Sequence, residues 1–545
     1  MVGPYGAAGV LGPYSPSRRF IQGNLAVRRT RTGQLLASLV QGAKGEAAAP
    51  KAWGGMAMFV EAQVPADDPR LTRIYDHFRD NLADICKVGA GAGATVAVCT
   101  IPSNLRESAP FASVHAPGLS SEQTAAWDAL FAAGTKLEAE GKHAAALDKY
   151  LEVEKIDDRF ADLHYRLGRC LVALGRPADA RERFGRARDL DALRFRTDST
   201  LNDTIRDVVG GPTGRGALLA DAERAFDAAS PAGGPGENLF LEHVHMNFSG
   251  NYLLARTVFE TVAPVLDGRL KPGPRTDPLT EPECAERLAY THWNESKIVA
   301  QVASDLFRQA PFTGQSDRAE RAARWDAKLK ALRARLGPDD LRKVSEVSAR
   351  AVAAREDDWM LRLNYAALLS ERDDLSGAEE QYWAVLRVHR HCFPAQAKLG
   401  TTMLKLGRPQ DAETRFRAAL ELAPDWLEAE LGLAESLGAR GKVDEGLAIY
   451  ERQLAKSPDR GSTLIAMGGY LFRAGRLAEA RQKLTEGLAL KPDHAPTLVQ
   501  LGDIAMKQGR KDEALGHYEA ALKVRPDWPE LIAFVAKVKA DAPPK

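Results

Sequence analysis

The sequence lacks the features that define several classes of protein. Its five cysteines lie far apart in 545 residues and form no CxxC pair, which argues against a disulfide framework and a zinc site. No apolar run reaches the roughly 18 residues that a membrane-spanning helix needs. The 74 basic and 73 acidic residues leave a net charge of +1. This near-neutral balance gives no reason to expect nucleic acid or an anionic membrane surface as a partner.

The first twenty residues, MVGPYGAAGVLGPYSPSRRF, lack the basic region and apolar core of a signal peptide. No strand or helix precedes this glycine- and proline-rich loop, so we expect it to belong to the middle of a domain. The location of the protein therefore stays open. It is cytoplasmic by default, or attached to the cell envelope if an anchor precedes this stretch.

A spacing of 34 residues recurs through the C-terminal part of the chain. The recurring residues are Pro424, Pro458, Pro492 and Pro526, then Gly400, Ala434, Gly468 and Gly502, then Gly407, Gly441, Gly475 and Gly509, and the aromatic residues Phe416, Tyr450 and Tyr518. Stacked helical hairpins require small residues where helices cross and an aromatic residue in the second helix. The pattern resembles the tetratricopeptide repeat (TPR) family, which has a small residue at position 8, glycine at 15, alanine at 20 and an aromatic residue at 24.

This resemblance predicts an α-solenoid over residues 339–545. A weaker repeat begins at about Trp359 and is marked by Ala378 and Tyr382. Pro529–Lys539 is predicted to be a capping helix, which covers the exposed face of the last repeat.

Two further repeats of the same kind are predicted at residues 119–193. Their matching positions are Gly134 and Gly168, Gly141 and Gly175, Ala146 and Ala180, and Tyr150 and Phe184. The sequence on either side has α/β character, so we expect these repeats to be inserted into a surface loop of an α/β domain formed by residues 1–118 and 194–268. Residues 269–338 are predicted to be a largely helical linker.

The α/β character rests on short apolar segments. Thr95–Ile101 is β-branched and continuously apolar, as in a buried parallel strand. Gly216–Ala220 and Met56–Val64 are further strand candidates. The glycines at Gly89–Gly93 follow a predicted helix and precede a strand, the reverse of the order in a phosphate-binding loop. They are therefore interpreted as a helix-ending turn.

A candidate acid–base pair occurs in Leu241–Ala255, LEHVHMNFSGNYLLA. Glu242 stands three residues before His245, and Asn247 and Gly250 open an amphipathic helix. In such a pair the carboxylate fixes the imidazole tautomer and the histidine transfers the proton.

This segment resembles the last conserved block of the SGNH/GDSL hydrolase family, where a carboxylate precedes the catalytic histidine by three residues. Thr95–Asn104 resembles a late central strand of that family with its following loop, and Met1–Tyr5 resembles residues just after its third block. The resemblance implies an incomplete three-layer α/β domain in which His245 and Glu242 are catalytic, with glutamate in place of the usual aspartate.

The nucleophile of that family is missing from the sequence. Its serine belongs to a Gly-Asp-Ser-like block after the first strand, whereas Ser15 and Ser17 lie in a proline-rich loop, and there is no GxSxG elbow. A pair without nucleophile and oxyanion hole has lost its main sources of rate. The domain is either N-terminally truncated or degenerate, and we favour truncation because Met1 falls inside a motif-like stretch.

Two other histidine interpretations were weighed. His243 and His245 have the spacing of metal ligands, but no third ligand follows at a recognisable distance, so we predict neither a metal nor another cofactor. His115 lies beyond the loop of the first candidate strand and is expected at the surface.

TPR proteins bind partners in a concave groove that is lined by side chains of each first helix. Carrying the groove positions of the family over to this sequence gives Thr401, Lys405, Leu431, Glu435, Ile465, Arg473, Asp503 and Lys507. This mixed set lacks the Lys/Asn pattern that grips a C-terminal carboxylate in some TPR proteins. It predicts a protein or peptide partner without specifying one.

The sequence is compatible with two functions. The first is a protein-interaction scaffold attached to an inactive SGNH-like remnant. The alternative is a serine hydrolase for acyl esters of a glycan or lipid, whose nucleophile lies in a missing N-terminal segment.

Overall fold

A computed structural model describes residues 23, 26–27, 29–35, 55–266, 277–457 and 459–540. The chain divides into two units, Met1–Gly337 and Pro338–Lys545. Some residues named above lie outside the described ranges, namely Met1–Tyr5, Ser15, Ser17 and Pro458.

From residue 55 onward, the N-terminal unit is built mainly from helices. Its regular elements are α1 (Pro69–Gly91), β1 (Ala97–Cys99), α2 (Ser121–Ala139), α3 (His143–Glu154), α4 (Ala161–Ala173), α5 (Pro177–Leu190), α6 (Ser199–Gly210), β2 (Leu218–Ala220), α7 (Ala222–Ala228), α8 (Phe248–Leu266), α9 (Glu281–Arg287), α10 (His292–Gln301) and α11 (Arg318–Ala334).

The two strands form a small parallel sheet with helices on both faces. Ala97 is opposite Leu218, and Cys99 is opposite Ala220. Successive side chains of a strand point to opposite faces, and Val98 points towards the cluster that α1 and α6 form. Helix α8 contacts both strands without joining that cluster, which places it on the other face. The sheet among the described residues has two strands and is much smaller than the sequence predicted.

The two outer candidate strands differ from their predictions. The prediction that Met56–Val64 forms a strand is wrong. Met56–Phe59 forms a 3-10 turn, and the side chains of Met56 and Phe59 pack against an aromatic cluster. Thr95–Ile101 contains β1, yet Ala97 is exposed and Ile101 is 47% exposed. The segment predicted to be a buried strand is therefore only partly covered by other described residues.

The glycine-rich turn before β1 ends a helix, as predicted. Helix α1 begins at Asp68, whose carboxylate accepts from the Arg70 amide, and it runs to Gly91. Gly93 has φ of +72°, a conformation that favours glycine, and it turns the chain into the strand.

Helices α2 to α5 form two hairpins between the strands. A Cβ on Gly134 would lie 2.6 Å from the ring of Tyr150, and a Cβ on Gly168 would lie 2.6 Å from the ring of Phe184. The helices can cross this closely only because these positions have no side chain. The hairpins and their crossing contacts are those that the 34-residue spacing predicted.

Residues 281–334 pack on the rest of this unit through an aromatic cluster. Phe111, Phe312 and Trp325 are buried in it. Arg321 is buried beside them, donates to Asp317 Oδ1 at 2.8 Å and lies 4.6 Å above the Phe307 ring. From residue 277 onward, the segment predicted as a linker is therefore largely helical and packs against the rest of the N-terminal unit.

The C-terminal unit consists of helical hairpins. Its elements are α12 (Pro338–Ala354), α13 (Trp359–Glu371), α14 (Leu375–Val388), α15 (Phe393–Lys405), α16 (Pro409–Leu422), α17 (Leu427–Ala439), α18 (Val443–Lys456), α19 (Arg460–Arg473), α20 (Leu477–Leu490), α21 (Ala495–Lys507), α22 (Lys511–Val524) and α23 (Pro529–Ala540). We call α13–α23 the array.

Each hairpin of the array closes over a small residue, as the sequence predicted. A Cβ on Gly502 would lie 2.5 Å from the Tyr518 ring, and a Cβ on Gly400 would lie 3.0 Å from the Phe416 ring. Helix α23 covers the last hairpin, since Leu531 and Val535 pack in one cluster with Tyr518. The predicted capping helix is therefore present.

Candidate functional site

The Glu242 carboxylate is positioned by the backbone that follows it. It accepts the amides of His243 at 2.8 Å, of Val244 at 3.3 Å and of His245 at 2.5 Å. Its side chain is 1% exposed. Three converging N–H donors fix the position of the carboxylate.

The same carboxylate holds the ring of His245. Glu242 Oε1 lies 2.5 Å from His245 Nδ1, while the imidazole is 74% exposed. A carboxylate on Nδ1 orients the ring and leaves Nε2 as the atom that exchanges protons with other groups. No described residue forms a hydrogen bond with that Nε2. The structure thus brings the two predicted residues together and directs the pair to solvent.

The loop that carries the pair is fixed at both of its ends. Leu241 N donates to His245 O at 2.7 Å. Asn247 Oδ1 accepts the Gly250 amide at 3.0 Å, which caps the start of α8. A Cβ on Gly250 would lie 2.1 Å from Leu239 O, so this close approach requires glycine.

His243, between the two residues of the pair, has a different environment. Its ring is buried, contacts Glu242 and lies 5.1 Å from the Phe111 ring and 5.4 Å from the Phe312 ring. Burial holds the pKa of His243 well below its ordinary value, and the nearby Arg196 acts in the same direction. A neutral imidazole enclosed among aromatic rings is a packing residue. Sequence reasoning missed this role.

The loop after β1 lies against the same segment. Asn104 N donates to His243 O at 3.0 Å, and Arg196 donates to Asn104 O at 3.0 Å. Ser103 is buried, and its hydroxyl has no hydrogen-bond partner in the part of the chain that the structure describes. The two segments that resemble the SGNH/GDSL family, Thr95–Asn104 and Leu241–Ala255, are therefore in contact.

His115 belongs to a separate group. Its Nδ1 lies 2.8 Å from Asp157 Oδ2, and its ring packs against Trp127 and Phe160. It is partly exposed, and it ties the first inserted hairpin to the preceding loop.

The predicted partner-binding residues lie on the first helices of the array, and several of them are already paired. Glu435 accepts from the Tyr450 hydroxyl at 2.9 Å and from Arg473 Nη2 at 2.5 Å. Asp503 accepts from the Tyr518 hydroxyl at 2.8 Å. Burial, followed by the neighbouring carboxylates, raises the pKa of both phenols.

The remaining predicted residues are less constrained. Thr401 donates to Ala397 O at 3.2 Å within its own helix. Lys507 Nζ lies 4.6 Å from the centre of the Phe472 ring, a cation–π contact between neighbouring first helices. Lys405 is exposed, and no described residue pairs with it.

Half-buried apolar residues run beside these charged positions. They are Leu404, Leu431, Ile465, Phe472, Val499 and Met506. Sequence reasoning named only Leu431 and Ile465. Val499 continues their series at the same 34-residue spacing, and Leu404, Phe472 and Met506 belong to a second series at the position seven residues further along the first helices. We call these six residues, with Lys405, Glu435, Arg473, Asp503 and Lys507, the first-helix face.

Comparison with protein families supports the repeats in both units. The family model described as "Tetratricopeptide repeat" matches residues 403–467 and 471–538, and a second model of the same description matches residues 161–186. The chain therefore carries tetratricopeptide repeats in the array and in the inserted hairpins. No curated protein matches the chain significantly.

Several solved structures of tetratricopeptide repeat proteins are similar to part of this chain at low identity. A tetratricopeptide repeat protein from Parabacteroides merdae is 18% identical, with 46% of this chain and 100% of that chain covered and a TM-score of 0.34. TTC0263 from Thermus thermophilus is 21% identical, with 33% and 99% covered and a TM-score of 0.30. YrrB, titled a TPR protein with an unusual peptide-binding site, is 20% identical, with 35% and 99% covered and a TM-score of 0.26.

The described residues contain neither a membrane-spanning helix nor a cluster of metal-binding side chains. Of the helices that the structure describes, none is long and apolar enough to cross a membrane. Among the same residues, no group of three or more His, Cys, Asp or Glu side chains is arranged to hold a metal ion.

Tetratricopeptide repeats generally serve protein interaction, so the chain is a TPR-type interaction scaffold at the level of its fold.

Proposed function

We propose that the array binds a polypeptide along the first-helix face. The observation that carries this proposal is the row of half-buried apolar side chains on successive first helices, with Lys405, Arg473 and Lys507 at matching positions beside it. Apolar side chains on a preformed surface supply contact area without the cost of ordering the receptor. The charged positions then select the partner and its orientation.

Interactions within the first-helix face indicate which of its charged residues are available to contact the partner. Arg473 is held by Glu435, so a partner has to compete with an existing ion pair at that point. Lys405 has no such partner, and Lys507 is held only by the Phe472 ring. We therefore assign the main charge contacts to the two lysines, one near each end of the face.

A photo-crosslinking experiment on the full chain tests this proposal. Benzoylphenylalanine is placed at Thr401 or Lys507 on first helices, and at Lys523 or Gln482 on second helices as matched exposed controls. We expect the same polypeptide adducts from both first-helix positions and none from the controls. Equal adducts from both sets, or none from the first helices, would contradict the proposal.

A second candidate function rests on the pair in the N-terminal unit. Glu242 is buried, is held by three amides and lies 2.5 Å from His245 Nδ1, while the imidazole is largely exposed. This arrangement supports a general acid–base role of the kind that the SGNH/GDSL resemblance implies. In this proposal the domain is an ester hydrolase whose nucleophile and oxyanion donors are not among the residues assigned here.

Hydrolysis of p-nitrophenyl acetate by the full chain tests the second candidate. Active protein should show saturation with substrate, and His245→Ala should abolish it while His517→Ala, a control on α22, leaves it unchanged. Because exposed imidazoles react slowly with this ester by themselves, saturation rather than rate alone is the criterion. Equal, non-saturating rates for all three proteins would rule the hydrolase out for this chain.

A further inference from the structure

A second apolar surface of the array lies away from the first-helix face. Five exposed apolar side chains occur where one hairpin ends and the next begins, each between 37% and 55% exposed: Met360, Val388, Phe393, Leu422 and Leu427. We call these five residues the apolar edge. Exposed apolar residues that cluster in this way mark interaction sites more often than scattered ones do.

The side chains of the apolar edge are neighbours in space. The Trp359 ring lies 5.0 Å from the His389 ring, next to Val388, and the Phe393 ring lies 5.0 Å from the Trp426 ring, next to Leu427. In a later repeat, a Cβ on Gly461 would lie 3.2 Å from Leu490 Cβ. By the 34-residue repeat, these two positions correspond to Phe393 and Leu422. The apolar edge is therefore continuous across the first two repeats.

The surface is bounded on its C-terminal side. The residues equivalent to Leu422 and Leu427 in the next repeat are Lys456 and Gly461. Lys456 is exposed and lies 3.5 Å from Asp425. The apolar edge thus belongs to the repeats that begin at Trp359 and Phe393 and to the first residue of the next one, Leu427, and is interrupted beyond it.

Opposite charges flank the two halves of the edge. Arg387 and Arg390 lie beside Val388 and are exposed, and no carboxylate among the described residues pairs with them. Glu421 and Asp425 lie beside Leu422 and are also exposed. Arg387 and Glu421 are 34 residues apart, so they occupy the same position in neighbouring repeats with opposite sign.

We propose that the apolar edge is the interface of a two-fold symmetric dimer of this chain. A two-fold axis between the repeats of Trp359 and Phe393 sets the basic half of one copy against the acidic half of the other. An interface of this kind uses the same patch on both copies and must be its own complement. The apolar side chains are then covered on both copies, and Arg387 faces the partner's Glu421. The first-helix face stays open, so the dimer presents two of them.

Sedimentation velocity of the full chain over about 1 to 100 μM tests for the dimer, a range in which micromolar association is visible. We expect concentration-dependent dimers. Leu422→Lys should abolish them, because it places a charge at the centre of the edge. Leu490→Lys is the matched control, since Leu490 has the same repeat position and is 57% exposed, against 41% for Leu422, but lies outside the edge. A monomer at every concentration would overturn the proposal and assign the edge to a partner of different composition.

A charge swap tests the orientation. Arg387→Glu and Glu421→Arg each put like charges across the axis, and each should weaken the dimer about tenfold, which corresponds to about 1.4 kcal/mol. The double variant restores opposite charges and should dimerise within about twofold of the unmodified chain. Single variants that weaken the dimer without rescue in the double variant would contradict the two-fold arrangement. All three variants carry their changes on exposed side chains, and circular dichroism verifies their folding.

Discussion

The contacts within the N-terminal unit join residues that are much further apart along the chain than those joined by contacts within the array. In the N-terminal unit, Gln315 donates to Ala109 O across 206 residues and Arg169 binds Glu320 across 151. In the array, Arg473 binds Glu435 across 38 residues, which is one repeat plus one helical turn. Contacts between neighbouring repeats make stability a sum of local terms, whereas distant contacts make it a property of the whole unit. This difference predicts how much of each unit loses stability when one residue is substituted.

Buried charge in the N-terminal unit provides the strongest test of that contrast. Arg196 is buried and donates to Asn104 O at 3.0 Å, to Ser108 O at 2.9 Å and to Asp191 Oδ2 at 3.2 Å. Arg196→Ala leaves the buried Asp191 carboxylate without its cation, and we expect a loss of about 3–5 kcal/mol. Hydrogen exchange measured by mass spectrometry should show lost protection throughout the N-terminal unit.

The array should be unaffected by that substitution. Arg224→Ala is the matched control, because the Arg224 side chain is 76% exposed, and we expect no measurable change from it. Equal loss of protection in both units after Arg196→Ala would mean that the chain unfolds as one cooperative body, against the comparison.

Glycine substitutions in the last hairpin test the local side of the comparison. A Cβ on Gly502 would overlap the Tyr518 ring, so Gly502→Ala should cost about 1–3 kcal/mol through overpacking. Gly516 in α22 has open space where its Cβ would be, and Gly516→Ala should stabilise the helix by about 0.5–1 kcal/mol. Protection should change in α21–α23 and remain constant in α13–α16. A change spread evenly over the array would contradict nearest-neighbour stability.

Acid should act first on the N-terminal unit through His243. Burial lowers the pKa of this imidazole well below 6.5, so below that pH the unfolded chain binds a proton that the folded unit does not. This contribution to stability is present above pH 6.5 and is lost as the pH falls, at up to about 1.4 kcal/mol per pH unit.

His243→Phe should remove this part of the pH dependence while keeping an aromatic ring beside Phe111 and Phe312. The measurement is the free energy of urea unfolding of the N-terminal unit at pH 7.5 and pH 5.5. His164, whose pKa is also lowered by burial, is present in both proteins, so it does not affect their difference. An unchanged pH slope in the variant would show that His243 titrates normally.

The smallest expected effects are on the first-helix face. Tyr450→Phe removes the hydroxyl that donates to Glu435, and we expect a loss of about 1 kcal/mol. Arg473→Ala removes an ion pair whose arginine is 56% exposed, and should cost less than about 1 kcal/mol. Thermal unfolding of the array measures both. A larger loss for Arg473→Ala would show that the ion pair is a structural element and not a replaceable contact.

The same difference in sequence distance explains what could be predicted. Gly502 and Tyr518 are in contact because of a spacing that recurs in the sequence, and Glu242 meets His245 because three residues separate them. Both were predicted. The contacts of Arg196 with Asn104 O and Ser108 O and the burial of His243 depend on segments that approach only in the folded unit, and no local pattern encodes them. Met56–Val64 was mistaken for a strand because apolar density alone does not distinguish pairing with another strand from packing against rings.

The central claim is that binding depends on the array and not on the histidine–glutamate pair. Its most direct test is the affinity of the crosslinked polypeptide for four full-length proteins: the unmodified chain, Lys405→Glu with Lys507→Glu, Lys523→Glu, and His245→Ala. We expect the double lysine variant to bind about tenfold or more weakly, a change of about 1.4 kcal/mol or more, while the other two variants equal the unmodified chain. Loss of binding in His245→Ala, with full binding in the double lysine variant, would contradict the claim.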